Sequence, residues 1–299
     1  MKILVTGGAG FIGSHLVDRL LNEENEVIVI DNFNTGKEEN LSAHRNLKVV
    51  DISILDEEME KYFEGVDTVF HLAALTRPQF SILHPDLATH VNVDGTLKVL
   101  MASQKHNIKR VVFTSSSSLY GTQKVYPVKE DAIPYPESPY GLTKLIGEQY
   151  AQLYTRMYGL EINCVRPFNV YGKRQNPVGG YAAAVPSFTR LLKNDEPGKI
   201  TGDGEQSRDF TYVDDLVELL ILASTSKVYG ESFNGGYGRT VSVNYMYQTI
   251  AKLLNKDIPP IYIPEVLEPR LTWADNTKAR ELLGWKPQYP VEEGLKRTV

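Results

Sequence analysis

A tyrosine and a lysine stand four residues apart, at Tyr140 and Lys144 in the segment Ser-Pro-Tyr-Gly-Leu-Thr-Lys. A free tyrosine has a pKa of about 10, and a nearby ammonium favours the phenolate. Residues four apart share one face of a helix, and Pro139 suits the first turn of a helix. The pair is therefore a candidate base, and the serine run at 115–118 is a candidate partner. Taken alone, such a pair is more often an accident of an exposed amphipathic turn.

The composition limits the classes of protein that need considering. The chain has 299 residues and a formal net charge of -5, with both signs dispersed. No basic block indicates nucleic acid or a membrane surface as a partner. Cys164 is the only cysteine, so an intrachain disulfide and a cysteine metal cluster are excluded, and we expect no metal site. The apolar run at the N-terminus is too short for a signal peptide, which predicts a cytoplasmic, reducing setting.

Short apolar runs alternate with helical patterns through the first half of the chain. Such runs without strict alternation are typical of a parallel sheet covered on both faces. The rhythm predicts an α/β fold with a doubly wound Rossmann sheet. The predicted strands are 3–6, 27–30, 47–50, 68–71 and 111–114, and the predicted helices are 12–22, 92–106 and 214–224.

The local amino-acid composition changes after Arg166, where Pro, Gly, Tyr and Asn become frequent at 167–180 and 197–204. Loops of this kind, held on a rigid scaffold, often carry binding residues. We predict a Rossmann domain at 1–168 with a return segment at about 206–233. A smaller, interleaved substrate domain is predicted at 169–205 and 234–299, ending in a helix.

A glycine-rich loop follows the first predicted strand and opens the first predicted helix. Gly8, Gly10 and Gly13 match G-x-G-x-x-G, and Gly7, Gly10 and Gly13 match G-x-x-G-x-x-G. Glycines at these positions let the backbone turn tightly and approach a pyrophosphate at a helix N-terminus. The strand before, the helix after and Asp31 at the end of the second strand supply the context that the motif needs.

Asp31 favours NAD over NADP, because a carboxylate accepts from ribose hydroxyls and repels a 2′-phosphate. The residues that follow it are Asn32, Phe33 and Asn34 rather than an arginine. Asp51, after the third strand, is a candidate for the adenine amino group and equally a candidate helix cap.

The chain resembles extended short-chain dehydrogenases/reductases of the NAD-dependent sugar-nucleotide epimerase/dehydratase type. Ordered motifs from the first strand to the C-terminal end carry the resemblance. They are Thr6-Gly-Gly-Ala-Gly-Phe-Ile-Gly13, Asp31-Asn-Phe-Asn-Thr-Gly36, His71-Leu-Ala-Ala74, residues 115–121, Tyr140 to Lys144, Arg166-Pro-Phe-Asn-Val-Tyr-Gly172, Gly202-Asp-Gly-Glu-Gln-Ser-Arg-Asp-Phe210 and Leu283-Gly-Trp285.

The resemblance implies a role for each motif around the cofactor. Residues against the pyrophosphate, the adenosine, the far side of the dinucleotide and the nicotinamide are expected to be Gly7, Gly10, Phe11, Ile12, Gly13, Asp31, Asn32, Phe33, Asn34, Thr35, Gly36, Asp51, Ile52, Leu72, Ala73, Ala74, Thr76, Tyr140, Lys144 and Phe168.

It also implies the substrate, a UDP-sugar, and the catalytic groups. Ser116 is expected to hydrogen-bond the C4 oxygen and relay its proton to Tyr140, while Lys144 lowers the tyrosine pKa. The implied substrate-binding residues are Ser116, Asn169, the segment Tyr181 to Val185 with Ala184 and Val185, Lys199, Thr201 and Arg208.

The positions after Ser116 narrow the reaction. Dehydratases of this type carry an Asp-Glu pair there, and the related decarboxylases keep a glutamate, whereas this chain has Ser117 and Ser118. Without a second acid, the simplest outcome is hydride return to the other face of a rotated 4-keto sugar, which is 4-epimerisation of a UDP-hexose. UDP-glucuronate epimerisation, dehydration with an acid from elsewhere, and a non-catalytic NAD-binding protein remain alternatives.

Two positions bear on the sugar itself. Thr272 stands where family members restricted to glucose and galactose tend to have a tyrosine, so the acetylated pair UDP-GlcNAc/UDP-GalNAc is expected to fit as well. The arginine that the family usually places seven residues earlier is Glu265 here. Either Arg270 replaces it from a shifted loop, or Arg208 alone holds the diphosphate.

The resemblance further implies a homodimer. Helices near 92–106 and 141–158 commonly pair across such a dimer as a four-helix bundle. The second predicted helix carries an apolar stripe that faces either a partner or the core, formed by Leu145, Tyr150, Leu153, Tyr154 and Met157.

Overall fold

A computed structural model describes residues 1–177, 183–265 and 268–299. Within these ranges, seven parallel strands form one sheet in the order β3-β2-β1-β4-β5-β6-β11. The strands are β1 (Lys2–Thr6), β2 (Glu26–Asp31), β3 (Leu47–Asp51), β4 (Thr68–His71), β5 (Arg110–Thr114), β6 (Glu161–Pro167) and β11 (Ser232–Gly235). The strand order reverses between β1 and β4, and ligands of doubly wound sheets bind at such a switch point.

Helices cover both faces of this sheet. Successive side chains of a strand point to opposite faces, and here both faces carry apolar side chains that pack against helices. Ile3 and Val5 pack in the cluster that contains α1 and α7, whereas Leu4 packs in the cluster of α4 and α5. The helices are α1 (Phe11–Asn22), α2 (Pro78–Leu83), α3 (Pro85–Thr89), α4 (Gly95–Lys105), α5 (Pro139–Tyr158), α6 (Ala184–Lys193), α7 (Val213–Thr225), α8 (Val243–Leu253), α9 (Thr277–Leu283) and α10 (Val291–Thr298).

Short strands from the second half of the chain pair beside the C-terminal edge of the large sheet. They form the pairs β7–β10 and β8–β13 and the three-stranded sheet β12-β9-β14. The strands are β7 (Val170–Tyr171), β8 (Lys199–Thr201), β9 (Ser207–Asp209), β10 (Thr211–Tyr212), β12 (Thr240–Ser242), β13 (Ile261–Ile263) and β14 (Leu271–Thr272).

The predicted α/β class and parallel sheet are confirmed, and the predicted strands and helices agree with the observed ones within a few residues. The predicted helix at 92–106 is a π-helical turn at His90–Asp94 that continues into α4. Within the predicted return segment, β11 joins the large sheet and α7 packs against β5 and β6, while β9 pairs with β12 and β14. The division into two domains stays a prediction.

Candidate active site

The glycine-rich loop is packed so closely that side chains are excluded from it. Gly7 has a φ of +72°, and a Cβ there would lie 2.7 Å from the amide nitrogen of Ala73 at the end of β4. A Cβ on Gly13 would lie 2.2 Å from the carbonyl oxygen of Gly7. The loop therefore joins β1 to α1 through closely packed backbone, and the start of a helix carries amide N–H groups without an intrahelical partner.

Asp31 is fixed against this loop at the end of β2. One carboxylate oxygen accepts from the amide of Ala9 at 2.9 Å, and the other accepts from the amide of Phe33 at 2.9 Å. Burial raises the pKa of Asp31, although both amides lower it. Asp51 is its register partner on β3 and adds a second negative charge. This pair of carboxylates is unfavourable for a 2′-phosphate.

Asp51 is not a helix cap. The next helical turn begins at Glu57, and its N-terminal cap position is Asp56. The amide of Ile52 instead donates to the carbonyl oxygen of Asp31 at 3.2 Å, which ties the ends of β2 and β3 together. The alternative assignment of Asp51, to the adenine amino group, stays a prediction.

The other predicted cofactor residues lie along the same C-terminal edge of the sheet. Phe11 and Ile12 form the first turn of α1. The loop Asn32, Phe33, Asn34, Thr35 and Gly36 follows β2, and a Cβ on Gly36 would lie 2.9 Å from the Asp31 carboxylate. The residues that follow β4 are Leu72, Ala73, Ala74 and Thr76. The amides of Leu72 and Ala73 donate hydrogen bonds to the carbonyl oxygen and the hydroxyl oxygen of Thr6. Phe168 is buried against Tyr120 after β6.

The helix that carries Tyr140 and Lys144 has a well-defined start. Ser138 caps α5 by accepting from the amide of Gly141 at 3.1 Å, and Pro139 is its first residue. The hydroxyl oxygen of Ser81 accepts from the amide of Tyr140 at 3.0 Å. Lys144 is buried, and its Nζ donates to the carbonyl oxygen of Thr114 at 2.8 Å. Both side chains therefore meet the end of β5, where the serine run begins.

The predicted effect of Lys144 on Tyr140 is not seen. Burial raises the pKa of Tyr140, and the group that lowers it is the hydrogen-bonded hydroxyl of Ser116. Burial also lowers the pKa of Lys144 to about 8, although the negative charge of Glu148 raises it. The physical reason is that the ammonium is itself desolvated and turned to Thr114, with Nζ 6.0 Å from the centre of the Tyr140 ring.

Ser116 is held by a short 3-10 turn at Ser117–Leu119. Its hydroxyl oxygen accepts from the amide of Ser118 at 3.1 Å and lies 3.1 Å from the Ser118 hydroxyl. The turn thus aims Ser116 at the Tyr140 phenol and gives the next two positions to small hydroxyl side chains.

A buried ion pair supports this arrangement, and the sequence reasoning missed it. Arg166 on β6 donates to both carboxylate oxygens of Glu148, at 2.8 and 2.6 Å, and to the Tyr120 hydroxyl at 2.6 Å. Tyr120 in turn donates to Asn234 on β11 at 2.7 Å. Glu148 lies four residues after Lys144 on the same helix face, so the spacing that indicated Tyr140 and Lys144 also pointed to it.

The predicted sugar-binding residues Asn169 and Thr272 meet although 103 positions separate them. The Asn169 amide donates to the Thr272 hydroxyl at 2.8 Å and to the backbone oxygen of Asp209 at 3.2 Å. Strand β14 brings Thr272 beside Arg208 of β9 in parallel register. Asn169, which follows Phe168 directly, therefore lies together with Thr272 and Arg208, and these three residues form one wall of the candidate site.

The two candidate diphosphate arginines differ in their surroundings. Arg208 is largely buried and ion-paired with Glu268 at 3.2 Å. Arg270 is exposed, and its guanidinium donates to both carboxylate oxygens of Asp203, at 3.2 and 3.0 Å. A carboxylate oxygen of Glu265, the residue at the position of the usual family arginine, lies 3.5 Å from Nη1 of Arg270 and forms an ion pair with it.

The remaining predicted substrate residues lie on separate elements. Ala184 and Val185 form the first turn of α6, which has no side-chain cap. Lys199 is exposed on β8, and the Thr201 hydroxyl accepts from Gln206 at 3.1 Å. Tyr181 lies outside the described residues.

The side chains present fit NAD: a loop that excludes Cβ atoms, an uncapped helix start at Gly10 and an anchored acid at Asp31. In the described part of the chain, no group of three or more His, Cys, Asp or Glu side chains could hold a metal ion. No helix in the same ranges is both long and apolar enough to cross a membrane.

The fold and site define a dinucleotide-binding enzyme with a Ser–Tyr–Lys group at the C-terminal edge of its sheet. A model of the NAD dependent epimerase/dehydratase family matches residues 3–236. The chain belongs to this family, and NAD is its cofactor.

The similar proteins extend over the whole chain. A putative UDP-glucose 4-epimerase of Methanocaldococcus jannaschii is 40% identical, with 99% of this chain and 97% of that protein covered. A UDP-glucose 4-epimerase of Thermotoga maritima, solved with UDP-glucose, is 43% identical at a TM-score of 0.95, covering 100% and 97%. A UDP-N-acetylglucosamine 4-epimerase of Methanobrevibacter ruminantium, solved with UDP-N-acetylmuramic acid, is 38% identical at a TM-score of 0.96, covering 99% and 96%.

Relatives with other names are similar at somewhat lower identity. A UDP-glucuronate 4-epimerase of Thermodesulfobacterium geofontis is 36% identical, covering 99% of this chain and 94% of that protein. A UDP-N-acetyl-alpha-D-glucosaminuronate decarboxylase of Bacillus cytotoxicus is 35% identical, covering 100% and 96%. The chemistry at positions 117 and 118 therefore matters for the choice of reaction.

Proposed function

We propose that this protein catalyses the NAD-dependent 4-epimerisation of a UDP-hexose. The carrying observation is the group of Ser116, Tyr140 and Lys144 next to two positions, Ser117 and Ser118, that offer no carboxylate. UDP-glucose/UDP-galactose is the expected pair, and UDP-GlcNAc/UDP-GalNAc is expected to react as well.

Tyr140 is the proposed base and acid. Its phenolate takes the proton of the sugar 4-hydroxyl while the C4 hydride leaves with its electron pair, giving a 4-keto sugar. NAD, when bound, supplies the hydride acceptor and a positive charge. Ser116 relays this proton: its hydroxyl accepts from the sugar 4-hydroxyl and donates to the Tyr140 phenolate, so the proton reaches Tyr140 along that hydrogen bond. Hydride return to the opposite face, with the proton returned by Tyr140, gives the epimer and leaves no net change in the cofactor.

Lys144 acts as a buried cation close to the reacting groups. Its ammonium is oriented by the Thr114 carbonyl at the end of β5, and its proposed partner in the NAD-loaded enzyme is the nicotinamide ribose. Because burial lowers its pKa to about 8, we expect the ammonium to persist at neutral pH and to decline above it.

Removal of the phenol tests the mechanism. Tyr140→Phe is expected to keep NAD bound and to lower turnover by about 10²–10⁴-fold. Turnover is measured by product analysis with UDP-glucose, UDP-GlcNAc and UDP-glucuronate, and bound NAD by release on denaturation. Turnover near the wild-type value would contradict the assignment of Tyr140. A decarboxylated or dehydrated product from the wild-type enzyme would exclude simple epimerisation.

Thr272 is the proposed determinant of the space around the sugar 2-substituent. Thr272→Tyr is expected to abolish turnover of the acetylated pair selectively. It also removes the hydrogen bond from Asn169, so Thr272→Val is the matched control, since it loses the hydroxyl without adding bulk. An equal loss on both substrate pairs in the tyrosine variant, or selective loss in the valine variant, would reject the size argument.

We also propose a homodimer through α4 and α5. Apolar side chains are exposed on both helices, with Met101 and Met157 at 54% and 61% and Leu153 at 36%, whereas Tyr154 of the same predicted stripe is buried. A second copy would cover them as a four-helix bundle. Met157→Glu should yield a monomer by light scattering, while Ile133→Glu, at a residue that is 82% exposed on a loop, should not.

A further inference from the structure

The guanidinium of Arg208 is held on one side by backbone. Its Nη1 donates to the carbonyl oxygens of Ser207 at 3.1 Å and Arg270 at 3.2 Å, one from β9 and one from the start of β14. Only about a tenth of the side chain is exposed. The paired strands therefore fix the position of the positive charge and leave Nη2 to face an anion.

The anion that faces Nη2 comes from the chain itself. The carboxylate of Glu268 lies 3.2 Å from it and is about one-third exposed. A carboxylate satisfies a guanidinium fork in much the same way as a phosphate does. Glu268 thus stands where a diphosphate oxygen would bind if Arg208 has its proposed role.

We propose that Glu268 is an internal competitor for the diphosphate of the nucleotide sugar. The inference rests on the proposed diphosphate role of Arg208. Each binding event must separate Glu268 from Arg208, and each release event restores the pair. This competition lowers the affinity of the enzyme for the nucleotide part of the ligand, which is common to substrate and product. Sugar discrimination is left to the wall formed by Asn169 and Thr272.

The test compares Glu268→Gln with a matched control. Glu293→Gln on α10 removes the same charge from a pair with the same N–O distance, 3.2 Å to Arg297. The dissociation constant of UDP is measured by calorimetry on the NAD-loaded enzyme. We expect Glu268→Gln to tighten UDP binding by about threefold to tenfold and Glu293→Gln to leave it unchanged.

Two further variants separate this inference from the proposed function. Arg208→Ala should weaken UDP binding, and Glu268→Gln added to Arg208→Ala should give no gain, because Glu268 acts through Arg208. Unchanged or weaker UDP binding in Glu268→Gln would overturn the inference, as would an equal gain with and without Arg208. Wild-type UDP binding in Arg208→Ala would instead overturn the diphosphate role itself.

Discussion

Two arginine–carboxylate pairs of this protein, one between α5 and β6 and one beside β14 on the proposed sugar side, differ sharply in burial. Glu148 on α5 and Arg166 on β6 form a buried ion pair with side chains 2% and 6% exposed. Arg270 and Asp203, on the sugar side, form a two-point pair with side chains 55% and 56% exposed. A buried pair cannot exchange partners without stranding a charge, whereas an exposed pair exchanges with water at little cost.

The backbone is also more closely packed around Gly7, in the glycine-rich loop, than around Gly202, after β8. Gly7 and Gly202 both have positive φ, at +72° and +61°, but only Gly7 is confined by neighbouring backbone. The backbone around Gly7 is therefore closely packed, while the backbone around Gly202 has room beside it. Each of the following changes tests that contrast.

The largest effect is expected from Gly7→Ala. A Cβ at this position would lie 2.7 Å from the Ala73 amide nitrogen, so β1, β4 or the loop must move, and we expect NAD binding to be lost. Gly202→Ala is the control, because its strained φ is similar but its nearest contact would be 3.6 Å from the Glu265 side chain. Equal loss of NAD from both variants would show that backbone strain rather than packing limits the loop.

Glu148→Gln should cost about 3–5 kcal/mol in the free energy of unfolding, because Arg166 is left buried without a countercharge. Denaturant unfolding measures it. The double variant Glu148→Gln/Arg166→Met removes both charges and should recover much of the loss. A cost below about 1 kcal/mol would place this pair in the same class as the exposed ones.

Asp209 is a buried acid on the sugar side and gives a pH-dependent test. Its carboxylate accepts from the amides of Gly238 and Ala274, at 3.0 and 3.1 Å, and burial raises its pKa to about 7. The unfolded value is about 3.9. Between these values the folded chain binds the extra proton, so the free energy of unfolding falls as pH rises from about 4 to about 7.

Asp209→Asn should remove this dependence. Relative to the wild type, it should gain on the order of 1–3 kcal/mol at pH 8 compared with pH 5. Unfolding curves at both pH values provide the measurement. An identical pH dependence in variant and wild type would show that Asp209 is ionised throughout, and that the sugar side holds no strained buried charge.

The smallest effect is expected from Arg270→Ala. Its guanidinium is exposed and its partners Asp203 and Glu265 lie in water as well, so screening removes most of the interaction. The melting temperature should stay within experimental error of the wild type at 0.15 M salt. A clear fall in melting temperature would mean that this pair holds the segment around β14 in place.

The sequence predicted well what depends on short spacing. Strands β1 to β5 of the large sheet, the first helix and the start of α5 at Pro139 follow from local patterns, and the structure has them, whereas β6 and β11 were not predicted. The glycine loop and Asp31 were found because a nucleotide-binding loop needs particular residue types at close intervals. The effect of Lys144 on the pKa of Tyr140 stays a prediction, since spacing indicates proximity but not the desolvation that dominates both pKa values.

By itself, the sequence determined the parallel α/β sheet and predicted the glycine loop and the pair Tyr140 and Lys144, because helix and strand patterns act over a few residues. The prediction for Ser116 came from the family resemblance. Tertiary structure alone decided which distant groups meet: Asn169 with Thr272, Glu148 with Arg166, and Arg208 with Glu268. The physical reason is that such contacts depend on strand order and on burial, which a linear pattern does not contain. Burial makes the arginine–carboxylate pair between α5 and β6 hard to separate, whereas exposure leaves the pair of Arg270 and Asp203 free to exchange with water.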